Sequence, residues 1–195
     1  MNFRKFIYSV SPYFYKNHLF VSDIKANLLH KKIPVNYIIQ FPVDTSVVSK
    51  DDLVYIDFNV EDFNKNIKSN NELLLVFWKN KIVHRSIIQT QGKVSMEGDR
   101  NAFHLKENEI YIHSCYTSEE HRGNGLYSSV LNYILNIYMN KEIPKKVFIA
   151  CRQKNLVSVK GITKAGFIYN KSSKIIGFLS GRIRFRKWYY KNIKS

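Results

Sequence analysis

A strand that runs straight into a glycine turn, with a helix following at once, leaves this chain few architectures. Residues 110–131 read IYIHSCYTSEEHRGNGLYSSVL. Glu109 to Thr117 has the β-branched and aromatic content of a strand. A turn begins at Ser118 and leads into Arg122-Gly123-Asn124-Gly125. From Leu126 to about Met139, the apolar residues Leu126, Val130, Ile134, Ile137 and Tyr138 recur at helical spacing. Glycines let the backbone turn tightly and let a ligand's oxygens come close. The first N–H groups of a helix have no partner inside it, and the helix dipole adds partial positive charge there. A pyrophosphate fits such a cradle. Taken alone, the Gly-x-Gly turn also fits an ordinary strand–turn–helix connection.

A second segment has the same layout. Lys146 to Cys151, KVFIAC, reads as an apolar strand of the kind buried on both faces of a sheet. Asn155 to Lys164 reads as a helix, with Asn155 as a cap candidate and Gly166 as C-cap. Upstream, Leu73 to Trp78, a turn at Lys79-Asn80-Lys81 and Ile82 to Gln89 predict a hairpin. The polar stretch Thr90 to Asn108 either extends that hairpin or covers the site. Phe167 to Leu179 and Arg182 to Tyr190 read as final strands. From Glu72 onward the order is therefore hairpin, β, α, β, α, β, β. This order predicts a mixed α/β sheet with crossovers through helices.

The first 70 residues carry weaker signals. His18 to Ile24 and Val35 to Phe41 look like strands, Pro42 ends the second, and Val60 to Lys68 looks like a short helix with Glu61 and Asp62 at its start. A length of 195 residues suits one domain. The expected division is an elaborated part over 1–70, a core over 71–180 and a basic aromatic tail over 181–195. The basic N-terminal stretch lacks the apolar run and cleavage site of a secretory signal, and no run reaches the length of a membrane span. A cytoplasmic protein is the default expectation. Cys115 and Cys151 make no disulfide framework, and the six histidines show no metal-ligand spacing. No metal is expected. The net charge of +16 attracts anions such as nucleic acid, acidic lipid headgroups or phosphorylated ligands. The same excess also fits a solvated face on which Lys replaces other polar residues.

Both segments, in this order and spacing, resemble the GNAT superfamily of acyl-CoA N-acyltransferases. The first matching stretch is Glu120-His121-Arg122-Gly123-Asn124-Gly125-Leu126, with Glu120 where the family has Gln or Arg. The second is Asn155, Ser158 and Lys164-Ala165-Gly166-Phe167. The likeness spans roughly Leu73 to Phe178. It implies a mostly antiparallel mixed sheet flanked by helices. Two central strands would splay around the pantetheine arm of acetyl-CoA or another acyl-CoA. Backbone groups near Tyr116 and Thr117 would bind that arm, and the amides of Arg122 to Leu126 would bind the pyrophosphate. Tyr127, Asn155 and Ser158 complete the expected coenzyme site.

The resemblance also implies direct transfer to an amine in a ternary complex. Many relatives place a proton-donating Tyr seven residues after the Asn, where this chain has Ile162. Tyr116, Tyr127 or water are the substitutes, or the site is inactive. His113 and Glu109 are the candidate bases, and His113 also reads as a packed strand residue. The flavour of Cys115-Tyr116-Thr117 and the turn is similar to GNAT proteins of bacterial surface-polysaccharide biosynthesis. That likeness implies an amino-sugar nucleotide or lipid-linked amino sugar as acceptor. A protein or peptide acceptor and a non-catalytic binding module are the competing readings. In the tail, Arg182, Arg184 and Arg186 alternate with Ile183 and Phe185, and Trp188, Tyr189 and Tyr190 follow. This pattern suits the inner membrane surface, nucleic acid or a charge-protected edge strand.

Overall fold

A computed structural model has ten strands and four α-helices among the residues it describes. It describes residues 13–22, 33–44, 48–69, 71–140, 146–178 and 183–190. In chain order the strands are β1 (Tyr13–Ser22), β2 (Tyr37–Gln40), β3 (Glu72–Trp78), β4 (Lys81–Gln89), β5 (Lys93–Met96), β6 (Asp99–His104), β7 (Glu109–Thr117), β8 (Lys146–Arg152), β9 (Phe167–Phe178) and β10 (Ile183–Tyr190). The helices are α1 (Lys50–Tyr55), α2 (Val60–Lys68), α3 (Leu126–Met139) and α4 (Leu156–Lys164).

Eight strands form one sheet in the order β10-β9-β1-β8-β7-β4-β3-β2, and β5 and β6 form a separate two-stranded sheet. Only β7 and β8 pair in parallel among the described strands; the connection between them runs through α3. The fold is thus a mixed, mostly antiparallel sheet flanked by helices, as expected.

Side-chain alternation divides the apolar residues between the sheet's two faces. On one face, Ile110, Ile112, Val147 and Ile149 pack against Leu126, Val130, Leu131, Ile134 and Tyr138 of α3 and Ile162 of α4. The opposite face is covered in two places. Leu53 of α1 and Phe63 of α2 pack on Leu73, Leu75, Ile82 and Ile87. Val94, Met96 and Ala102 of the β5–β6 hairpin pack on Leu19, Tyr111 and Phe148. The stretch 90–108 therefore forms a hairpin of its own and does not extend the one before it.

Several boundaries differ from expectation. β1 begins at Tyr13 and sits inside the sheet, between β8 and β9. Its pairing with both neighbours extends it upstream of His18. Ile24 lies outside the described residues. β2 is shorter than Val35 to Phe41, because Val35 and Asn36 form a turn closed by Tyr37 N–H donating to Pro34 O at 3.0 Å. Helix α1 was not expected. Its signal is Ser49, whose Oγ accepts from Asp52 N–H at 3.1 Å. Asn59 caps α2 in the same way, at 2.7 Å from Asp62 N–H. In α4 the C-cap is Ala165, and Gly166 follows it at φ 100°. The expected turn at Lys79 and Asn80 is present, both residues having positive φ. Leu179, Pro144 and Arg182 lie outside the described residues.

β10 is an edge strand. Arg186 on it donates to Asp99 Oδ2 at 2.5 Å and to Asn101 O at 2.6 Å, tying the tail to the hairpin. No described helix is long and apolar enough to cross a membrane.

Candidate active site

The β7–β8 pairing runs from Glu109↔Lys146 to Ile112↔Ile149. Both strands continue beyond it, and each leads into a helix. The N-termini of α3 and α4 therefore share the carboxyl end of the parallel pair, where ligands of α/β sheets collect.

β7 changes course just past its last pairing with β8. Against β4 the register is Ile87↔His113 and then Arg85↔Tyr116, so Ser114 and Cys115 together oppose Ser86. This is a β-bulge. Ser114 has φ 49°, a conformation costing about 1–2 kcal/mol for a residue with a side chain. Arg85 holds it. This buried guanidinium donates from Nε to Ile56 O at 2.9 Å, from Nη2 to Asp57 O at 2.8 Å, and from Nη1 to Ser114 O. Asp57 also has positive φ, at 52°. The guanidinium lies 4.6 Å from the Phe58 ring centroid and 5.6 Å from that of Tyr116. One side chain thus ties the bulge to the loop after α1.

The glycine turn is pinned from several sides. Gly123 and Gly125 have φ 80° and 79°, values that favour glycine. A Cβ at Gly123 would meet nothing within 4 Å, so the backbone there faces open space. Arg122 donates from Nε to Thr117 O at 2.9 Å and pairs with Glu119 at 3.1 Å. Its guanidinium lies 5.3 Å from the Tyr116 ring centroid. Tyr55 of α1 donates to Glu120 at 3.2 Å. His121 is buried, 2.9 Å from the Tyr37 hydroxyl and edge-on to Trp78. Asn124 is exposed and Leu126 is buried in the core. Beside the turn, the buried Ser118 Oγ has no hydrogen-bond partner. At α4, Asn155 Oδ1 accepts from Ser158 N–H at 3.1 Å, so these two predicted residues meet as a helix cap. These features fit a pyrophosphate-bearing ligand: two helix N-termini, glycines with open space before them, and an orphaned hydroxyl.

A polar chain links β4 to the turn end of β7. His84 lies 2.8 Å from both Thr117 Oγ1 and Ser86 Oγ, and Ser86 donates to Cys115 Sγ at 3.3 Å. The Tyr127 hydroxyl interacts with the same thiol. Burial, with Arg85 beside it, lowers the His84 pKa to about 3, so His84 is neutral. Burial pushes the Cys115 thiol up to about 11 and the Tyr127 hydroxyl well above its usual value. Both keep their protons at neutral pH, which argues against Cys115 as a nucleophile. A Cβ on Gly161 would lie 2.6 Å from Tyr127 Cδ1, so α4 needs glycine there to let the ring in. Ile162, at the expected tyrosine position, is fully buried in the core and offers no proton.

His113 points to the other face. It lies 3.0 Å from Ser114 Oγ and stacks on Tyr111. Burial and the charge of Arg85 lower its pKa to about 4. His113 also lines an open groove of about 590 Å³ between α2 and the β5–β6 hairpin, and none of the other predicted site residues does. Glu109 lies at the far end of β7, where its carboxylate accepts from Lys106 N–H at 3.2 Å. Among the described residues no cluster of His, Cys, Asp or Glu could hold a metal.

Sequence reasoning missed Arg85, His84, Tyr37, Tyr55 and Gly161, and it gave His121, inside the matched stretch, no packing role. Gly161 alone left a local trace, as a glycine inside a helical pattern.

Solved structures share this fold. An acetyltransferase of the GNAT family from Colwellia psychrerythraea superposes with a TM-score of 0.58 at 13% identity, over 98% of this chain and 62% of that one. A GCN5-related glucosamine N-acetyltransferase region of a fungal multi-domain β-N-acetylglucosaminidase gives 0.57 at 12% identity, over 93% and 22%. An aminoglycoside acetyltransferase from an uncultured soil metagenomic sample, in complex with trehalose, gives 0.52 at 13% identity, over 69% and 90%. No curated protein matches the chain. The profile of the acetyltransferase (GNAT) family matches residues 55–167. That stretch is more than half of the chain and holds the bulge, the glycine turn and the cap of α4, and the chain belongs to this family.

Proposed function

We propose that the protein is an acyl-CoA-dependent N-acyltransferase that moves an acetyl group directly to an amine. The acceptor class we favour is an amino sugar or its nucleotide. The observation that carries the reading is the pair of helix N-termini at the carboxyl end of β7 and β8, one of them behind two positive-φ glycines. The amides from Arg122 to Leu126 would take the pyrophosphate. Tyr116, Thr117, Asn155 and Ser158 would flank the arm where β7 and β8 run past their pairing. The bound acyl-CoA supplies an activated thioester.

The chain's own groups set limits on proton movement. With a pKa of about 4, His113 is a weak proton sink for an amine of pKa about 8. Four units correspond to about 5 kcal/mol uphill. His113 therefore suits accepting a hydrogen bond from an amine that arrives neutral. Of the two tyrosines, Tyr127 is the candidate to face a departing sulfur, since it sits against Cys115 of β7. Tyr116 is held between Arg85 and Arg122.

The support for an amino sugar is the cationic surface and the activities named for two proteins of the same fold, one on glucosamine and one on aminoglycosides. The engagement of Arg186 by Asp99 favours an edge-strand role for β10 over a membrane or nucleic-acid surface. One observation favours a non-catalytic coenzyme-binding protein, namely the apolar Ile162.

A thermal-shift titration with acetyl-CoA tests the reading. At a hundredfold excess over Kd, binding adds about 2.7 kcal/mol of stability. No shift with any acyl-CoA sinks the proposal. A shift without release of free CoA in the presence of amines selects the non-catalytic reading.

A further inference from the structure

The acyltransferase reading leaves open where the acceptor sits and what chemistry it carries. The opposite face of β7 from α3 is covered by α1 and α2 on one side and by the β5–β6 hairpin on the other. Between them lies the groove of about 590 Å³. This volume is in the range of small-molecule sites. The groove reaches His113, the residue just beyond the last β7–β8 pair. It therefore opens at the point of the sheet where the proposed coenzyme arm would end.

Its lining is chemically one-sided. Lys65 of α2 and Lys93 of β5 supply cations, and no carboxylate lines the groove. Ser69, Asn71 and Gln89 supply neutral hydrogen-bonding groups. Apart from the imidazole of His113, no aromatic side chain lines the groove, and no Val, Ile, Leu, Met or Ala does. One wall is also preset. Gln89 Nε2 donates to Gln91 O at 2.7 Å and to Lys93 O at 3.0 Å, fixing the loop that carries Lys93.

We propose that this groove is the acceptor site and that it takes an amino sugar bearing a phosphate. Lys65 and Lys93 hold the phosphate, the amide and hydroxyl groups bind the sugar hydroxyls, and the amine lies toward His113. The proposal rests on the acyltransferase reading. The neutral state of His113 supports it, because a neutral imidazole can accept a hydrogen bond from an amine that arrives neutral.

The test is calorimetric binding of glucosamine 6-phosphate, glucosamine and inorganic phosphate to the protein saturated with CoA. It uses the wild type and a Lys65→Gln/Lys93→Gln variant. Both lysines are exposed, so the variant keeps its fold, and an unchanged acetyl-CoA thermal shift verifies this. We expect glucosamine 6-phosphate to bind at least tenfold more tightly than glucosamine or phosphate, and the variant to lose that margin. Equal affinity for the two sugars overturns the proposal, as does a margin that survives in the variant. Inorganic phosphate binding as tightly as the sugar phosphate also overturns it, since the site would then recognise only an anion. A wild type that gives no thermal shift with acetyl-CoA sinks the acyltransferase reading instead, and this inference with it.

Discussion

The glycine turn at the end of β7 and the groove beside His113 are built by opposite means. The turn is one contiguous stretch, Arg122 to Leu126, and it presents backbone N–H groups. The groove is assembled from α2, the end of β4, the β5 strand and β7, and it presents side chains. Arg85 and His84 on β4 link the two regions, since one ties down the bulge and the other contacts Thr117. The difference teaches where each region is fragile. The turn fails when its backbone conformation is denied. The groove fails when charge is removed or when distant elements come apart.

The largest expected effect is on the turn. Gly123→Glu imposes a side chain on a positive φ and sets a carboxylate where a phosphate would lie. Affinity for acetyl-CoA should fall about a thousandfold, or about 4 kcal/mol. A Cβ there meets nothing, so the stability cost is only the roughly 1–2 kcal/mol of a side chain at positive φ, and Tm should fall by no more than a few degrees. A large loss of Tm with affinity retained would erase the contrast between the two regions.

Arg85→Met tests the link between them. It leaves the carbonyls of Ile56, Asp57 and Ser114 without their donor. Stability should fall by about 3 kcal/mol, read from urea unfolding. Arg85→Lys should recover less than half, because an ammonium cannot reproduce the planar fork. Full recovery with Lys would mean that charge, not geometry, holds the bulge.

The pH dependence of stability sharpens the role of His84. Its folded pKa, about 3, lies below the unfolded value of 6.5, so the unfolded chain takes up the proton first. The stability from this difference is complete above pH 6.5 and is lost as pH falls toward 3. By pH 5 the loss is about 2 kcal/mol. Tm should fall between pH 7 and pH 5 in the wild type, and more gently in His84→Gln. Parallel curves would remove His84 from the account.

The smallest effect is Tyr37→Phe. It removes the hydroxyl bonded to His121 and should cost about 1 kcal/mol of stability. Acetyl-CoA affinity should weaken less than fivefold, measured by the same titration. A larger loss would show that the turn depends on β2 as much as on its own glycines.

The parts that were legible share a short range. The helix over Leu126–Met139 and the strand over Glu109–Thr117 match their expected bounds, because periodicity and glycine placement are local. The same holds for α2 and the turn at Lys79 and Asn80. The tail was half legible: its edge position was one of three readings, but the pairing of Arg186 with Asp99 joins residues 87 apart. Position 162 was read correctly as lacking a tyrosine, yet its burial between α3 and α4 came only from packing.

The sequence by itself determined the order of elements from Glu109 onward and the glycine turn between β7 and α3. It could do so because backbone preference, capping and side-chain period act over a few residues. Tertiary structure decided the rest. It put β1 inside the sheet, His121 against Tyr37 and Trp78, Arg85 against the bulge, and the groove's two lysines in one lining with His113. Each of these joins segments far apart in the chain, and neither propensity nor spacing encodes which distant surfaces will meet when apolar faces are buried.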